Sequence, residues 1–376
     1  MITQSKTTRE ELGMQIARAD NQITRISKTV YTVKSQSNNG KYRVWQEGDS
    51  WKCQCADNTF RHVRCKHIFA VQFSATIRKE VQANRVIQEV NVENCQYCGS
   101  TNLKKDGIRR NKSGAIQKFY CRECHRYTTF NLGFEKMKHS PQAVTSAMQL
   151  YFSGESLRNT QKSLKLLGVQ VTHKTIFMWI KKYIKLMNNY VDKIVPNVSD
   201  TWRADELYLK VKGDMKYLFA LMDDETRFWI AQEVAETKYK HDARTLLQIG
   251  KNFAGKVPQI FITDGLPSYH DAFKREFYRN KQPQPIHVRR ITIRGDHNNN
   301  KMERFNGEIR DREKTMRGLK TKDTPILTGY QIFHNYIRPH EALEGKTPSE
   351  ACGIKVEGKN KWLTLIQNAS DERRRV

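Results

Sequence analysis

The spacing of the cysteines constrains this chain more than any other feature of its sequence. Seven of the eight cysteines are separated from another cysteine or a histidine by only one or two intervening residues, and only Cys352 stands apart. In a reducing compartment such groupings bind metal ions more often than they form disulfides. Because an ion draws its ligands together, we expect the groupings to build small metal-centred modules, and Cys352 to be an ordinary, semi-buried thiol.

The first grouping has the order C-x-C, nine residues, then C-x-H, and its members are Cys53, Cys55, Cys65 and His67. Thiolate and imidazole ligands without an open position are typical of a structural, tetrahedral Zn²⁺ site. Scattered buried cysteines are the alternative, but intervening residues such as Asp57 and Arg61 are too polar for a core. The order resembles that of a SWIM-type zinc finger, which implies a small module that binds nucleic acid or protein. We predict this finger over residues 33–84, after a helical segment at residues 1–32.

The second grouping consists of two C-x-x-C pairs separated by 22 residues, and its members are Cys95, Cys98, Cys121 and Cys124. It looks like a zinc ribbon over residues 90–132, in which one structural Zn²⁺ clamps two hairpins. Cations outnumber anions between and just after the pairs, and aromatic residues are interleaved with them. This pattern favours a surface that contacts DNA phosphates. The alternative is a basic surface that only makes the module soluble. The predicted DNA contacts here are Lys104, Lys105, Arg109 and Arg110.

The balance of charge narrows the class of partner. Lysine and arginine number 66 against 39 aspartates and glutamates, which gives a formal net charge of +27. A compact protein with that charge repels itself, so a polyanion is the natural partner. No apolar run approaches the roughly 18 residues of a membrane-spanning helix, and the start of the chain lacks a signal-peptide apolar core. These features favour nucleic acid over a membrane and predict a cytoplasmic, nucleoid-associated protein.

A helix-turn-helix region is predicted over residues 138–192. Apolar periodicity indicates one helix after Ser156 and another after Thr172, with Gly168 between them. Capping by serine and threonine and a short glycine-containing turn match helix-turn-helix spacing, in which the second helix enters the major groove of DNA. Many helical hairpins share this spacing without touching DNA, but the charge and the neighbouring zinc modules favour DNA binding. His173 and Lys174 are the predicted contacts.

Beyond a linker at residues 196–197 the pattern changes to strands. Three strands in hairpin order are followed by alternating helices and strands, up to a long helix near residues 298–316. This order predicts an α/β domain over residues 198–353, with a mixed five-stranded sheet covered by helices. Residues 354–376 are predicted to be a basic C-terminal tail, with a disordered basic end at Arg373-Arg374-Arg375.

Three carboxylates in this domain are candidate metal ligands. Asp205 shares strand parity with the apolar residues that follow it, so it points toward the core, where a bound metal offsets the cost of a buried carboxylate. Asp264 ends a buried strand, at the sheet edge where α/β sheets place ligands. Glu303 lies on the long helix in one stripe with Arg310 and Lys314, cations that can hold neighbouring phosphates.

Each of these acids has an ordinary structural alternative. The alternative is a hydrogen-bonded strand residue for Asp205, a turn or helix-capping residue for Asp264, and a solvated helix face for Glu303. Asp223 and Asp224 compete for the first position, but they lie in a predicted turn. Carboxylates that converge from separate elements supply the hard oxygen ligands that Mg²⁺ needs. Two such ions activate a nucleophile and stabilise the leaving oxygen of a phosphodiester.

The carboxylates stand inside motifs that resemble those of the DDE transposases of bacterial and archaeal insertion sequences, which share an RNase H-like core with retroviral integrases. The matching stretches are Trp202…Asp205-Glu206, Val211-Lys212-Gly213, Tyr217-Leu218-Phe219-Ala220-Leu221-Met222-Asp223, Thr263-Asp264-Gly265, Asn299-Asn300-Lys301-Met302-Glu303-Arg304-Phe305-Asn306, Met316-Arg317-Gly318 and Asn335-Tyr336-Ile337-Arg338-Pro339-His340. The resemblance implies that Asp205, Asp264 and Glu303 are the metal-binding triad and that Arg310 touches DNA near the scissile phosphate. Asp296 is the alternative third ligand, because 38 residues separate Asp264 from Glu303, slightly more than is usual in this group.

The resemblance implies an enzyme that cleaves and joins DNA strands with two Mg²⁺ or Mn²⁺ ions, beside two structural Zn²⁺ ions. Its expected partners are double-stranded DNA, as element terminal repeats and as target, and further copies of itself, as a homodimer or higher oligomer on DNA. A transposase-derived DNA-binding regulator without catalytic activity is the main alternative. A junction resolvase or similar RNase H-like nuclease is the second alternative. The DNA-binding modules ahead of the core argue against it, because a transposase has to recognise the ends of its element.

Overall fold

The computed structural model of the chain describes residues 8–18, 22–25, 29–37, 40–48, 50–83, 85–90, 93–111, 114–135, 137–278, 284–289, 300–315, 319 and 324–375. The chain divides into two compact units. The first comprises residues 1–85 with the short stretches 258–260 and 279–286, and the second comprises the remainder.

The first unit is an antiparallel sheet with helices. Its elements are α1 (Arg9–Arg18), β1 (Ile23–Arg25), β2 (Val30–Lys34), β3 (Lys41–Glu47), β4 (Ser50–Cys53), α2 (Ala56–Thr59) and α3 (Lys66–Ala83). The strands lie in the order β1-β2-β3-β4, and alternation along them places Tyr31, Val33 and Val44 in a small core with Ile68 and Val71 of α3. The segment predicted to be helical at residues 1–32 is helical in α1, whereas β1 and the start of β2 extend the sheet of the finger.

The second unit holds the remaining elements. They are β5 (Arg85–Ile87), β6 (Leu103–Asn111), β7 (Gly114–Cys121), β8 (Tyr127–Thr128), α4 (Pro141–Ser153), α5 (Leu157–Leu166), α6 (His173–Val191), β9 (Thr201–Val211), β10 (Asp214–Asp223), β11 (Trp229–Ala235), α7 (Lys240–Ala254), β12 (Ile260–Ile262), α8 (Pro267–Glu276), β13 (Ile286–Val288), α9 (Asn300–Thr315), α10 (Pro325–Ile332), α11 (Pro348–Ala351), β14 (Ile354–Val356) and α12 (Lys361–Arg375). A π-helical stretch (Phe333–Ile337) continues α10. Within the described part of the chain, no helix is long and apolar enough to cross a membrane.

A five-stranded sheet with the order β11-β10-β9-β12-β13 forms the centre of the second unit. Strands β9, β10 and β11 are antiparallel neighbours, which follows from their hairpin order in the sequence. Trp202 of β9 and Trp229 of β11 are fully buried in its core. This order agrees with the predicted five-stranded sheet, in which three hairpin strands are followed by strands that alternate with helices.

The helix-turn-helix candidate is formed by α5 and α6. The Ser156 and Thr172 hydroxyls cap the two helices by accepting from the N–H groups of Asn159 and Thr175, both at 3.2 Å. Gly168 lies between them with φ at 79°, a conformation that glycine adopts without strain. The predicted turn and caps therefore have the expected local geometry.

The C-terminal segment differs from its prediction. Residues 354–376, predicted to be a basic tail with a disordered end at Arg373-Arg374-Arg375, contain β14, which pairs with β5, and α12, which extends to Arg375. Trp362, Leu365 and Ile366 of α12 are buried in the main core. Leu365 and Ile366 follow Trp362 by three and four residues, which is the spacing of the apolar stripe on an amphipathic helix. The arginines at the end of α12 obscured this apolar pattern in the sequence.

Asp223, at the end of β10, is a structural carboxylate. It is fully buried and accepts hydrogen bonds from the N–H and hydroxyl groups of both Ser199 and Thr226, at 2.5–2.8 Å. Burial raises the pKa of this carboxyl group. These contacts tie the linker before β9 to the β10–β11 turn.

Replacing Asp223 with alanine is expected to lower the free energy of unfolding by about 3–5 kcal/mol, because it leaves several buried donors without an acceptor. Urea unfolding followed by the fluorescence of the buried tryptophans measures the change. Asp214→Ala, at an exposed position where β10 begins, is the control and should change stability by less than about 0.5 kcal/mol. Equal effects of the two substitutions would contradict this role.

Candidate active site and metal centres

Asp205 lies in the middle of β9, on the face that packs against α9. Its register partner on β10 is Ala220, and the residue is only 9 % exposed. One carboxylate oxygen accepts from the side-chain amide of Asn306 on α9 at 2.9 Å, and the other accepts from the N–H of Glu206 at 2.9 Å. The carboxylate is thus held in a fixed orientation beside α9.

Asp264 stands just beyond β12, the strand beside β9. Its side chain is exposed, and Oδ1 accepts from the N–H of Leu266 at 3.1 Å. Gly265 permits the turn that follows, since its φ is 101° and a Cβ there would lie 2.7 Å from the carbonyl oxygen of Arg289. The turn therefore fixes Asp264 at the end of β12, next to strand β9, which carries Asp205.

Glu303 is exposed on the first turn of α9. Asn306, which binds Asp205, follows it by three residues, and helix residues at that spacing share one face. Lys301 fixes the same turn, because its ammonium group binds the Asp224 carboxylate and carbonyl oxygen, both at 2.9 Å. Buried Arg203 forms an ion pair with the same carboxylate. These contacts therefore anchor the first turn of α9, which carries Glu303.

Three carboxylates converge at this point of the sheet. Ligand oxygens of Asp205, Glu206 and Asp264 lie within 4.8 Å of one another, and Glu303 is not part of that group. Burial first, and then the charges of these three carboxylates, raise the pKa of Tyr269 well above its ordinary value. Glu206 is not among the ligands that the sequence predicts, although its position next to Asp205 is a possible signal.

Glu206 has a cationic partner. The Lys238 ammonium lies 2.8 Å from Glu206 Oε1, and the Glu206 side chain is 4 % exposed. The charge of this carboxylate is therefore already compensated, whereas no ion pair involves Asp264 or Glu303 within the described residues.

The competing acids have other partners. Asp223 is buried and fully hydrogen-bonded, and Asp224 binds Lys301 and Arg203, which lower its pKa against the opposing effect of burial. Both acids therefore already have protein partners. Asp296 lies outside the described residues.

Each cysteine grouping also converges. Within each predicted set of four ligands, the sulfur and imidazole nitrogen atoms lie within 4.8 Å of one another. In the first set, Cys53 Sγ lies 3.9 Å from His67 Nδ1; in the second, Cys95 lies 3.5 Å from Cys124 and Cys98 lies 3.5 Å from Cys121. A tetrahedron with Zn–S bonds of 2.3 Å has edges of about 3.8 Å, so the spacing suits one ion per set. Cys352 is buried apart from both sets, its thiol donating to Thr226.

The predicted DNA contacts lie on three elements. Lys104, Lys105, Arg109 and Arg110 are exposed on β6. At the start of α6, Lys174 is exposed and His173 is half-buried. On α9, Arg310 and Lys314 are exposed, and Lys314 forms an ion pair with Asp311 at 2.8 Å.

The sequence of this chain is similar to those of known transposases. Residues 199–340 match the family model of the DDE domain of IS240-type transposases. Two transposases of Staphylococcus aureus, for the insertion sequence-like element IS431mec and for the insertion sequence element IS257 in transposon Tn4003, are each 26 % identical over 228 residues, 59 % of this chain and 97 % of the relative.

Two solved viral structures are similar to part of this chain. The catalytic core domain of HTLV-2 integrase in complex with magnesium has a TM-score of 0.29 and 15 % identity, covering 41 % of this chain and 95 % of that one. The simian T-cell lymphotropic virus intasome in complex with PP2A regulatory subunit B56 gamma has a TM-score of 0.32 and 15 % identity, covering 55 % and 74 %.

Proposed function

We propose that this chain, a DDE-class transposase of the insertion-sequence type, binds the ends of a mobile element and cleaves and transfers DNA strands with Asp205, Asp264 and Glu303 as its metal ligands. The observation that carries the proposal is the approach of Asp205 and Asp264 to within 4.8 Å from two separate strands. Asn306, three residues after Glu303, reaches Asp205 from α9.

The residues fit a divalent cation. Like charges this close disfavour each other's ionised form unless a cation compensates them, and carboxylate oxygens are the ligands that Mg²⁺ and Mn²⁺ prefer. Two bound ions would activate the nucleophile and stabilise the leaving oxygen of a phosphodiester.

The chain's own residues orient these ligands. The Asn306 amide fixes the Asp205 carboxylate, the turn at Gly265 fixes Asp264, and Lys301 holds the first turn of α9. Arg310 lies two helical turns beyond Glu303, where its guanidinium can bind a phosphate of the bound strand. In the first step, water attacks a phosphodiester and frees a 3′-OH. That 3′-OH then attacks a target phosphodiester, so one bond forms as another breaks.

Recognition of the ends is assigned to the modules ahead of the core. We propose that each cysteine set binds one structural Zn²⁺, and that the exposed cations of β6 and the start of α6 contact DNA. Because two ends are joined in one event, at least a dimer is expected on DNA.

The test is an incubation of purified protein with a labelled duplex that carries the element's own end. Wild type in Mg²⁺ is expected to cleave or transfer the strand, whereas Asp264→Ala in Mg²⁺ and wild type with Ca²⁺ in place of Mg²⁺ do neither while still binding the duplex. Binding without cleavage by the wild type would instead favour the DNA-binding regulator. Cleavage without strand joining would favour another RNase H-like nuclease.

A further inference from the structure

The hairpin of β6 and β7, in the module of the second cysteine set, contains a β-bulge. Between the pairs Lys105–Phe119 and Ile108–Gln117, two residues of β6 stand opposite one residue of β7. The side-chain amide of Gln117 donates to the carbonyl oxygen of Gly107 at 3.0 Å and braces the bulge. An extra residue moves the later side chains of its strand to the other face. The alternation of residues along the sequence therefore does not give the two faces of β6.

The bulge divides the predicted DNA contacts of β6 into two pairs. Residues directly opposite each other on antiparallel strands lie on the same face. By this register, one face carries Lys104 and Arg109, and the other face carries Lys105 and Arg110. Uninterrupted alternation would instead have put Lys104 and Arg110 together. The partners on β7 are Tyr120 and Ile116 for the first pair, and Phe119 and Ala115 for the second.

The face with Lys104 and Arg109, which we call the Tyr127 face, is open and polar. Tyr127 of β8 is the register partner of Tyr120, and it is 53 % exposed. The ammonium group of Lys118 lies 3.7 Å from the ring centroid of Tyr127 and 3.2 Å from the Asp106 carboxylate. Three cations and an exposed tyrosine therefore share this face with one carboxylate.

The opposite face, which we call the Phe119 face, is partly covered by the chain that follows β8. The ring of Phe119 stacks on that of Phe130, with centroids 4.3 Å apart. Thr128, the register partner of Phe119 on β8, is buried. At the open end of this face, near Arg110, Ile108 is 63 % exposed, and its apolar side chain cannot bind a phosphate. The Phe119 face is therefore the poorer surface for a polyanion.

A duplex that lies against one face of the hairpin is bound by the side chains of that face. Lysine, arginine and tyrosine side chains are common partners of DNA phosphates. Cations on the far face contribute little, because salt at 0.1 M screens charges over about 10 Å. The two pairs of cations on β6 are therefore not equivalent for one bound duplex.

We propose that duplex DNA lies against the Tyr127 face, with Lys104 and Arg109 bound to its phosphates, and that Lys105 and Arg110 make no DNA contact. The proposal rests on the proposed function, since it takes DNA as the ligand of this module. It narrows the contacts of β6 to the two cations that the bulge places beside Tyr120 and Tyr127.

The test compares two double variants that remove the same charges from the same strand. Lys104→Ala with Arg109→Ala empties the Tyr127 face of its β6 cations, and Lys105→Ala with Arg110→Ala is the matched control. All four side chains are exposed, and each pair is one lysine and one arginine at the same spacing. Binding of the labelled end duplex is measured at several salt concentrations, with Ca²⁺ in place of Mg²⁺.

The first double variant is expected to weaken binding by more than about tenfold at 0.1 M salt. Each phosphate contact contributes about 0.9 to the slope of log K against log salt, so this slope should fall by about 1.8. The control should keep the wild-type slope and an affinity within about threefold of wild type, because its cations are screened from the duplex. An unrelated duplex of the same length should show the same losses, since phosphates carry no sequence information.

Equal losses in the two double variants, a greater loss in the control, or no loss in either would overturn the proposal. A loss confined to the end duplex would overturn the assignment to phosphates. Both variants should keep the zinc content of the wild type; if one does not, the four single substitutions decide in the same way. Failure of the proposed function looks different, since it appears as absent cleavage by the wild type in Mg²⁺, whatever the double variants do in Ca²⁺.

Discussion

Replacing Glu303 with glutamine is expected to lower the rate of strand cleavage by about 10³-fold while DNA binding persists. A divalent ion contributes several kcal/mol of transition-state stabilisation, and each 1.36 kcal/mol corresponds to a factor of ten in rate. The isosteric amide keeps the shape of the side chain but removes the charge that holds the ion. Single-turnover cleavage of the labelled end duplex in saturating Mg²⁺ measures the loss.

Glu206→Gln is the matched comparison, because Glu206 lies with Asp205 and Asp264 in the structure whereas Glu303 does not. Glu206 already has Lys238 as its counter-ion at 2.8 Å, so its loss is expected to reduce the rate by no more than about tenfold. The opposite order, with Glu206→Gln inactive and Glu303→Gln active, would make Glu206 the third ligand. It would also show that the role inferred for Glu303 from the resemblance is wrong.

Replacing Cys65 with serine is expected to reduce the zinc content from two ions per chain to one and to unfold the finger of the first unit. Structural Zn²⁺ contributes about 10–16 kcal/mol in zinc-finger peptides, and the apolar core around this site is small. A hydrogen bond from the Cys53 thiol lowers the pKa of Cys65, which favours the thiolate form that binds a metal ion. Elemental analysis gives the zinc content, and hydrogen exchange over β2 to β4 reports the unfolding.

Cys352→Ser is the control for this experiment, because Cys352 is buried apart from both ligand sets. It should keep two zinc ions and normal exchange protection in the finger. Two retained ions in Cys65→Ser would contradict the ligand assignment, and purified wild-type protein without zinc would contradict both zinc sites.

Local sequence signals predicted much of the fold. Capping residues and apolar periodicity placed α5 and α6, strand alternation placed β9 to β11, and the cysteine spacing identified ligand sets that do converge. The prediction failed at the C-terminal end, where α12 packs Trp362, Leu365 and Ile366 into the core. A charged run at the end of a chain indicates disorder only where no apolar stripe accompanies it. Here the apolar stripe is present, and the segment forms a packed helix.

The sequence by itself determined which residue types and which elements were available: the cysteine sets, the order of strands and helices, and Asp205, Asp264 and Glu303 in their motifs. Only the tertiary structure decided which side chains meet. It brought Glu206 to Asp205 and Asp264, gave Glu206 the counter-ion Lys238, and made Asp224 an anchor for Lys301. Periodicity fixes the face on which a side chain lies, because it depends on the local backbone alone. Contacts between residues distant in sequence depend on how strands and helices pack, which no local pattern specifies.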